Sequence, residues 1–221
     1  MLREAGRSFE LDQVDLRSHR TQSGGDFFAI NPKGQVPALV LDGRDPRPAG
    51  SAAAWRPGSI DGEGSELLTE VPAIVQYAAD LAPEARLVPP SGTFARYHHE
   101  EWLSFIASEL HDPLDWLFVP AASAAMRELV RARVADRFHY LADVLDDRAY
   151  LMGETFTAAD AYLYVVLRWC GRFAIDLALW PAVDEYFLRI DARPSVIAAI
   201  AAEGQGDDGA PHVGDVLHPF G

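Results

Sequence analysis

The sequence predicts an α+β chain: a small N-terminal part mixing short strands with helices, then an all-helical part. Three observations carry this. Up to Thr69, short apolar runs are separated by clusters of Gly, Pro, Asn and Asp, the pattern of strands and turns. From Thr93 onward, apolar residues recur at three- and four-residue spacing, the period of helices that bury one face. Between the two lies "LVPPSGT", residues 87–93, rich in helix breakers and suited to a connector. The expected division is 1–86 and 93–203.

Each element follows from its residues. "SFELDQVDL", residues 8–16, alternates as a strand does, and the polar stretch after it holds at most a short helix. "ALVLD" at 38–42 is the next strand, with Pro37 at its head, where a missing N–H is tolerated. Gly43 to Glu66 is dense in Gly, Pro, Ser and Ala and has no period, so an irregular, mobile, peripheral insert is expected, with Trp55 outside the core. "LLTE" is a short strand that enters a helix through Pro72, a residue suited to the first turn. That helix presents Ile74, Tyr77, Ala78 and Leu81 on one face. Trp102, Phe105, Ile106 and Leu110 form a second stripe, and Met126, Val130, Val134, Phe138, Leu141 and Leu145 a third. Thr157 to Asp160 has the form of a capping box opening a helix that is apolar nearly all round. Helices at 181–192 and 194–203 follow, and 204–221 reads as a loosely held tail.

Composition narrows the function classes. Of 221 residues, 49% are hydrophobic and 24% charged, enough apolar surface for a real core. The net charge of −14 repels phosphate backbones and anionic lipid, so neither nucleic acid nor a membrane is expected as a partner. The single cysteine, Cys170, allows no intrachain disulfide and suits a cytoplasmic compartment. The seven histidines lack metal-ligand spacing, so no metal is expected.

Two local features carry chemistry. A cis Val36–Pro37 bond would turn the N–H and C=O of Val36 away from the sheet, where a short peptide could pair with them as an added strand. An ordinary trans turn proline is the alternative at this step. The second feature, Thr69-Glu70-Val71-Pro72, stands at a strand-to-helix junction. Free N–H groups at a helix start suit a carboxylate, and Glu70 suits an ammonium group. Together they would hold an α-amino-acid head group, and the cis bond becomes the expectation. Lys33, the only lysine in the chain, lies in "INPKGQVPALVLDG", residues 30–43, the stretch that holds Val36–Pro37.

"FFAINPKGQVPALVLDG", "LLTEVPAIVQYAADLAP", "SELHDPL", "YLMGETFTAADAYLYVVLRW" and "WPAVDEYFLRIDARPSV" resemble bacterial glutathione transferases of the beta-class-like group. The resemblance implies a thioredoxin-like N-terminal domain, an all-α C-terminal domain and a homodimer. It implies glutathione as co-substrate, with Val36 pairing the cysteinyl backbone ahead of cis Pro37. Glu70 and the Val71 N–H would hold the γ-glutamyl end, His19 the glycyl carboxylate, and His111 would reach the site from the helical domain. Trp102, Phe105, Trp116 and Phe118 are candidates for the apolar substrate, with core or dimer contacts as the alternative.

The chain also departs from the family pattern. Val71 stands where serine is frequent, and Asp112 where lysine is common. Residues 1–6 match the end of the family's first helix, so an N-terminal truncation is expected. On that reading the catalytic Tyr, Ser or Cys is absent from the sequence, and His111 is the candidate that remains. The expected activity is nucleophilic addition or substitution by glutathione sulfur on an apolar electrophile. A non-catalytic binding or dimerisation module is the alternative, and an isomerase or dehalogenase would share the scaffold.

Overall fold

The structure, a computed structural model, describes residues 1–41 and 66–204. Nearly all of the expected insert and tail lies outside these residues; Glu66, assigned to the insert, begins a strand instead. The described chain forms two compact units, one of Glu10–Ile74, the other of Met1–Phe9 with the residues from Val75 onward.

In the smaller unit, β1 (Val14–Asp15) pairs antiparallel with β2 (Arg20–Thr21). The expected strand at 8–16 is thus corrected to two residues. Alternation makes a segment strand-competent, but a strand exists only where a partner takes its backbone groups. The turn between β1 and β2 is fixed by Asp15, whose carboxylate accepts from the Arg17 N–H at 2.9 Å and the Ser18 hydroxyl at 2.7 Å. A short α1 (Phe27–Ile30) follows, with the Asp26 carboxylate accepting from the Phe28 N–H. Then β3 (Ala38–Leu41) pairs antiparallel with β4 (Glu66–Thr69), Ala38 opposite Thr69 and Leu41 opposite Glu66.

Helix α2 (Val71–Asp80) follows β4 without a linker longer than Glu70. Its buried positions are Val75, Ala78 and Ala79, joined by Ala82. The stripe expected through Ile74, Tyr77 and Leu81 is therefore rotated by one residue. Helix α3 (Phe94–Phe105) runs into a π-helical stretch, Ile106–His111, then α4 (Asp112–Asp115) and a 3₁₀ turn at Trp116–Phe118. Its buried line is His99, Leu103, Ile106, Leu110 and Leu114, which displaces Trp102 and Phe105 from the core face. Helix α5 (Ala124–Leu145) buries Val130, Val134, Phe138, Leu141 and Leu145 as its spacing predicts, but Met126 is exposed. Helices α6 (Ala158–Arg172), α7 (Pro181–Asp191) and α8 (Pro194–Gly204) complete the unit.

The start of α6 is the polar centre of this unit. Asp160 is fully buried. Its carboxylate accepts from the Leu151 N–H (2.8 Å), the Thr157 N–H (2.7 Å), the Thr157 hydroxyl (2.9 Å) and the Tyr186 hydroxyl (2.9 Å). Burial pushes the carboxyl up, and the four donors oppose that. The equally buried His99 accepts from the Ala159 N–H at 3.2 Å, so a side chain of α3 satisfies a first-turn donor of α6 that has no intrahelical partner. Burial, with Arg96 adding to it, lowers the His99 pKa from 6.5 to about 4. At the edge of the unit, Glu4 accepts from Arg193 Nε (2.8 Å) and Nη2 (2.9 Å), tying the first residues to the head of α8.

Two predictions follow from this centre. Asp160→Asn keeps the shape but turns an amide toward donors, and it should destabilise by about 3 kcal/mol or more in urea unfolding. For His99 the depressed pKa means the unfolded chain binds the extra proton. Its contribution is therefore complete above about pH 6.5 and lost as pH falls toward about 4, at about 1.4 kcal/mol per pH unit. His99→Gln should flatten this part of the stability curve relative to the parent chain, measured by urea unfolding at several pH values.

Candidate functional site

The β3–β4 register decides what stands beside what in the smaller unit. Because Ala38 pairs with Thr69, Pro37, which precedes β3, and Glu70, which follows β4, lie at the same end of the hairpin. The Val36–Pro37 bond is cis, as expected, and Val36 is 40% exposed.

The loop leading to Val36 is built by Asn31, which is almost completely buried. Its Nδ2 donates to the Gln35 carbonyl at 2.6 Å, and its Oδ1 accepts from the Lys33 N–H at 3.2 Å. Its own N–H bonds back to Phe27 and its carbonyl accepts from Gly34. Gly34 has φ +66°, and a Cβ there would stand 2.7 Å from a Phe28 ring carbon and 3.1 Å from the His19 ring, so glycine is needed for both conformation and space. His19 is drawn to this loop. Its ring lies on Phe28 with centroids 4.2 Å apart, and its buried Nδ1 has no hydrogen-bond partner among the described residues.

On the other strand, Glu70 has φ +73°. A residue with a side chain pays about 1–3 kcal/mol for that conformation. Its carbonyl accepts from the Ala73 and Ile74 N–H groups, at 3.1 and 3.0 Å, so Glu70 closes the first turn of α2 and Val71 heads the helix. The Val71 N–H belongs to the first-turn donors that a helix cannot satisfy internally. The Glu70 carboxylate is paired with Lys33 Nζ, which also donates to Thr69 Oγ1 at 3.0 Å. Val36, Pro37, Glu70, Val71 and His19 thus belong to one unit, and two residues join them. Lys33 was legible only as the lone lysine of the motif; Asn31 was missed, although its Asn-Pro step signals a turn.

In the helical unit, His111 closes the π-helical stretch, a local widening often found at functional positions. Its Nδ1 lies 2.7 Å from the buried Tyr162 hydroxyl, and its ring meets Trp169 edge-on at 4.8 Å. Phe118 packs on the same Trp169 at 5.1 Å and on Phe173 at 4.6 Å. Trp102 and Phe105 instead gather around Tyr140 of α5, at 6.0 and 5.4 Å, and Trp116 is 42% exposed. The four aromatics considered for an apolar substrate therefore fall into separate clusters, with Phe118 the one grouped with His111. Burial pushes the Cys170 thiol up to about 12, which suits a core position and not a nucleophile. Among the described residues, no cluster of His, Cys, Asp or Glu could hold a metal ion, and no helix is long and apolar enough to cross a membrane.

Comparison with known proteins bears on both units. The sequence profile of the glutathione S-transferase N-terminal domain matches residues 1–81, and that of the C-terminal domain matches 95–194. Glutathione S-transferase GstA of Escherichia coli O157:H7 is 39% identical over 203 residues, 92% of this chain and 90% of that protein. A sphingomonad glutathione S-transferase solved with glutathione superposes with a TM-score of 0.80 at 38% identity, covering 92% of this chain and 90% of the other. A bacterial beta class enzyme of Sphingomonas chungbukensis gives 0.79 at 37% identity, with the same coverage. With both domain profiles matched and the thioredoxin-like and helical parts of that fold present, the chain belongs to the glutathione S-transferase family.

Proposed function

We propose that the chain binds glutathione and transfers its sulfur, as thiolate, to an apolar electrophile. The observation that carries this is the hairpin register, which sets Val36 and Glu70 at one end of β3 and β4. Val36 offers one N–H and one C=O, and an extended cysteinyl residue pairs with both as an added strand would. Glu70 takes the α-ammonium of the γ-glutamyl residue, and the Val71 N–H, at the positive end of α2, takes its α-carboxylate. His19, whose ring packs on Phe28 and whose Nδ1 is buried, takes the glycyl carboxylate through its other ring nitrogen.

The chemistry asked of the chain is modest. A thiol of pKa about 8.5 must be held as thiolate near neutral pH. A hydrogen-bond donor at the sulfur does this, and His111 is proposed for the role, oriented by Tyr162. The thiolate then forms an S–C bond with the electrophile. A leaving group departs with its electron pair, or the electrons move onto an activated double bond and a proton follows. The apolar electrophile is proposed to meet the ring cluster of Phe118, Trp169 and Phe173. A cytoplasmic homodimer is proposed alongside, with the acidic surface of a −14 chain favouring neither nucleic acid nor anionic membranes.

Glutathione binding by calorimetry and conjugation to an aromatic halide test this reading. Glu70→Gln should weaken binding by about 5- to 10-fold, because the ligand ammonium loses its counter-charge. His111→Ala should lower kcat by at least about tenfold and, with glutathione saturating, move the rising acid limb of the kcat profile up toward about pH 8.5, the unassisted thiol. Glutathione binding with no turnover of any electrophile would point to a binding module instead.

A further inference from the structure

We infer that Lys33 reads the α-carboxylate of the ligand's amino-acid head group, by exchanging its ion pair with Glu70 for one with the ligand. The inference rests on the glutathione reading above and assigns a specificity-determining residue within that site. Lys33 Nζ pairs with the Glu70 carboxylate and donates to Thr69 Oγ1 at 3.0 Å. The only lysine of the chain therefore stands against the carboxylate assigned to the ligand's ammonium. Its backbone N–H is held by the buried Asn31, so the stem of this side chain starts from a fixed point.

Exposure makes the exchange cheap. The two side chains are 44% and 65% exposed, and ion pairs this open contribute little. Charge then sorts the candidates. A bare cation that displaces Lys33 leaves the lysine unpaired. A bare anion that meets Lys33 is repelled by Glu70 beside it. A zwitterion enters with its ammonium on Glu70 and its carboxylate on Lys33, and all four charges are paired. Val71, at the head of α2, carries no hydroxyl. The side-chain donor positioned to add charge to the backbone N–H on that carboxylate is the lysine ammonium. The pair thus selects an α-amino-acid head over an amine or an acid of the same length.

Calorimetry with three synthetic ligands tests this: glutathione, 4-aminobutanoyl-Cys-Gly, which lacks the α-carboxylate, and glutaryl-Cys-Gly, which lacks the α-ammonium. Lys33→Met should weaken glutathione by about 5- to 10-fold and change the 4-aminobutanoyl ligand by less than about twofold, with Lys33→Arg restoring most of the loss. Glu70→Gln should weaken glutathione and the 4-aminobutanoyl ligand and tighten glutaryl-Cys-Gly, which no longer meets the Glu70 charge beside Lys33. Equal effects of Lys33→Met on glutathione and the 4-aminobutanoyl ligand, or no effect on glutathione, would overturn the role of Lys33 while leaving the glutathione reading in place. A parent chain that binds none of the three would overturn that reading and this inference with it. Thermal unfolding of each variant checks that these surface substitutions leave the fold intact.

Discussion

Pairing of Ala38 with Thr69 fixes where the candidate binding residues of the smaller unit can stand. In an antiparallel hairpin the residue entering one strand and the residue leaving the other share an end. That single register brings Val36, proposed to pair with a peptide, to the same edge as a carboxylate, Glu70, and a helix start, Val71. A slip by one residue would turn every side chain of β3 to its other face and carry Val36 out of line with the α2 junction. The unusual backbone at this edge follows from the same constraint. Glu70 must end a strand and open a helix with no linker, and its left-handed conformation makes the corner.

The helical unit has a different organising device. Asp160 ties the loop at Leu151, the cap at Thr157 and the hydroxyl of Tyr186 on α7 to the first turn of α6. His99 reaches the next donor of that turn from α3. Four elements thus meet on one carboxylate and one neutral imidazole, both inaccessible to water. Every donor around the Asp160 carboxylate is matched, whereas the buried His99 Nδ1 has no hydrogen-bond partner among the described residues, a cost that the rest of the network offsets. Along the same α6, Tyr162 faces His111 and Trp169 faces Phe118, so the helix that is anchored by its cap also carries the groups that orient the candidate histidine.

Much of this was legible in the sequence because local chemistry decided it. Pro37 at the head of a strand, Glu70 before Pro72, and Thr157 with Asp160 each announce their structure through turn or cap rules. The long α5 stripe was legible because a straight helix keeps its period over 22 residues. The failures share a cause: each depends on a partner distant in sequence. Residues 8–12 alternate like a strand but lie outside the β1–β2 pairing, and Gln13 takes part only through its carbonyl, which accepts from the Gln22 N–H at 2.7 Å, so the paired strand is Val14 and Asp15. The buried lines of α2 and α3 are rotated relative to the expected ones, and the π-helical widening at Ile106–His111 shifts phase in a way that spacing cannot show. Trp102 and Phe105 were grouped with Trp116 and Phe118 by residue type, whereas Tyr140 of α5 claims the first two. The Lys33–Glu70 pair spans 37 positions, and only the hairpin brings it together.

Amide chemical-shift mapping of the ¹⁵N-labelled chain during a glutathione titration tests the central claim most directly, because it reports on individual backbone groups without requiring turnover. The account predicts saturable shifts at Val36, Glu70 and Val71 with one common dissociation constant, and slowed exchange of the Val36 amide as it enters a strand-like pair with the ligand. Saturable shifts gathered elsewhere, with Val36 and Val71 unmoved, would contradict it.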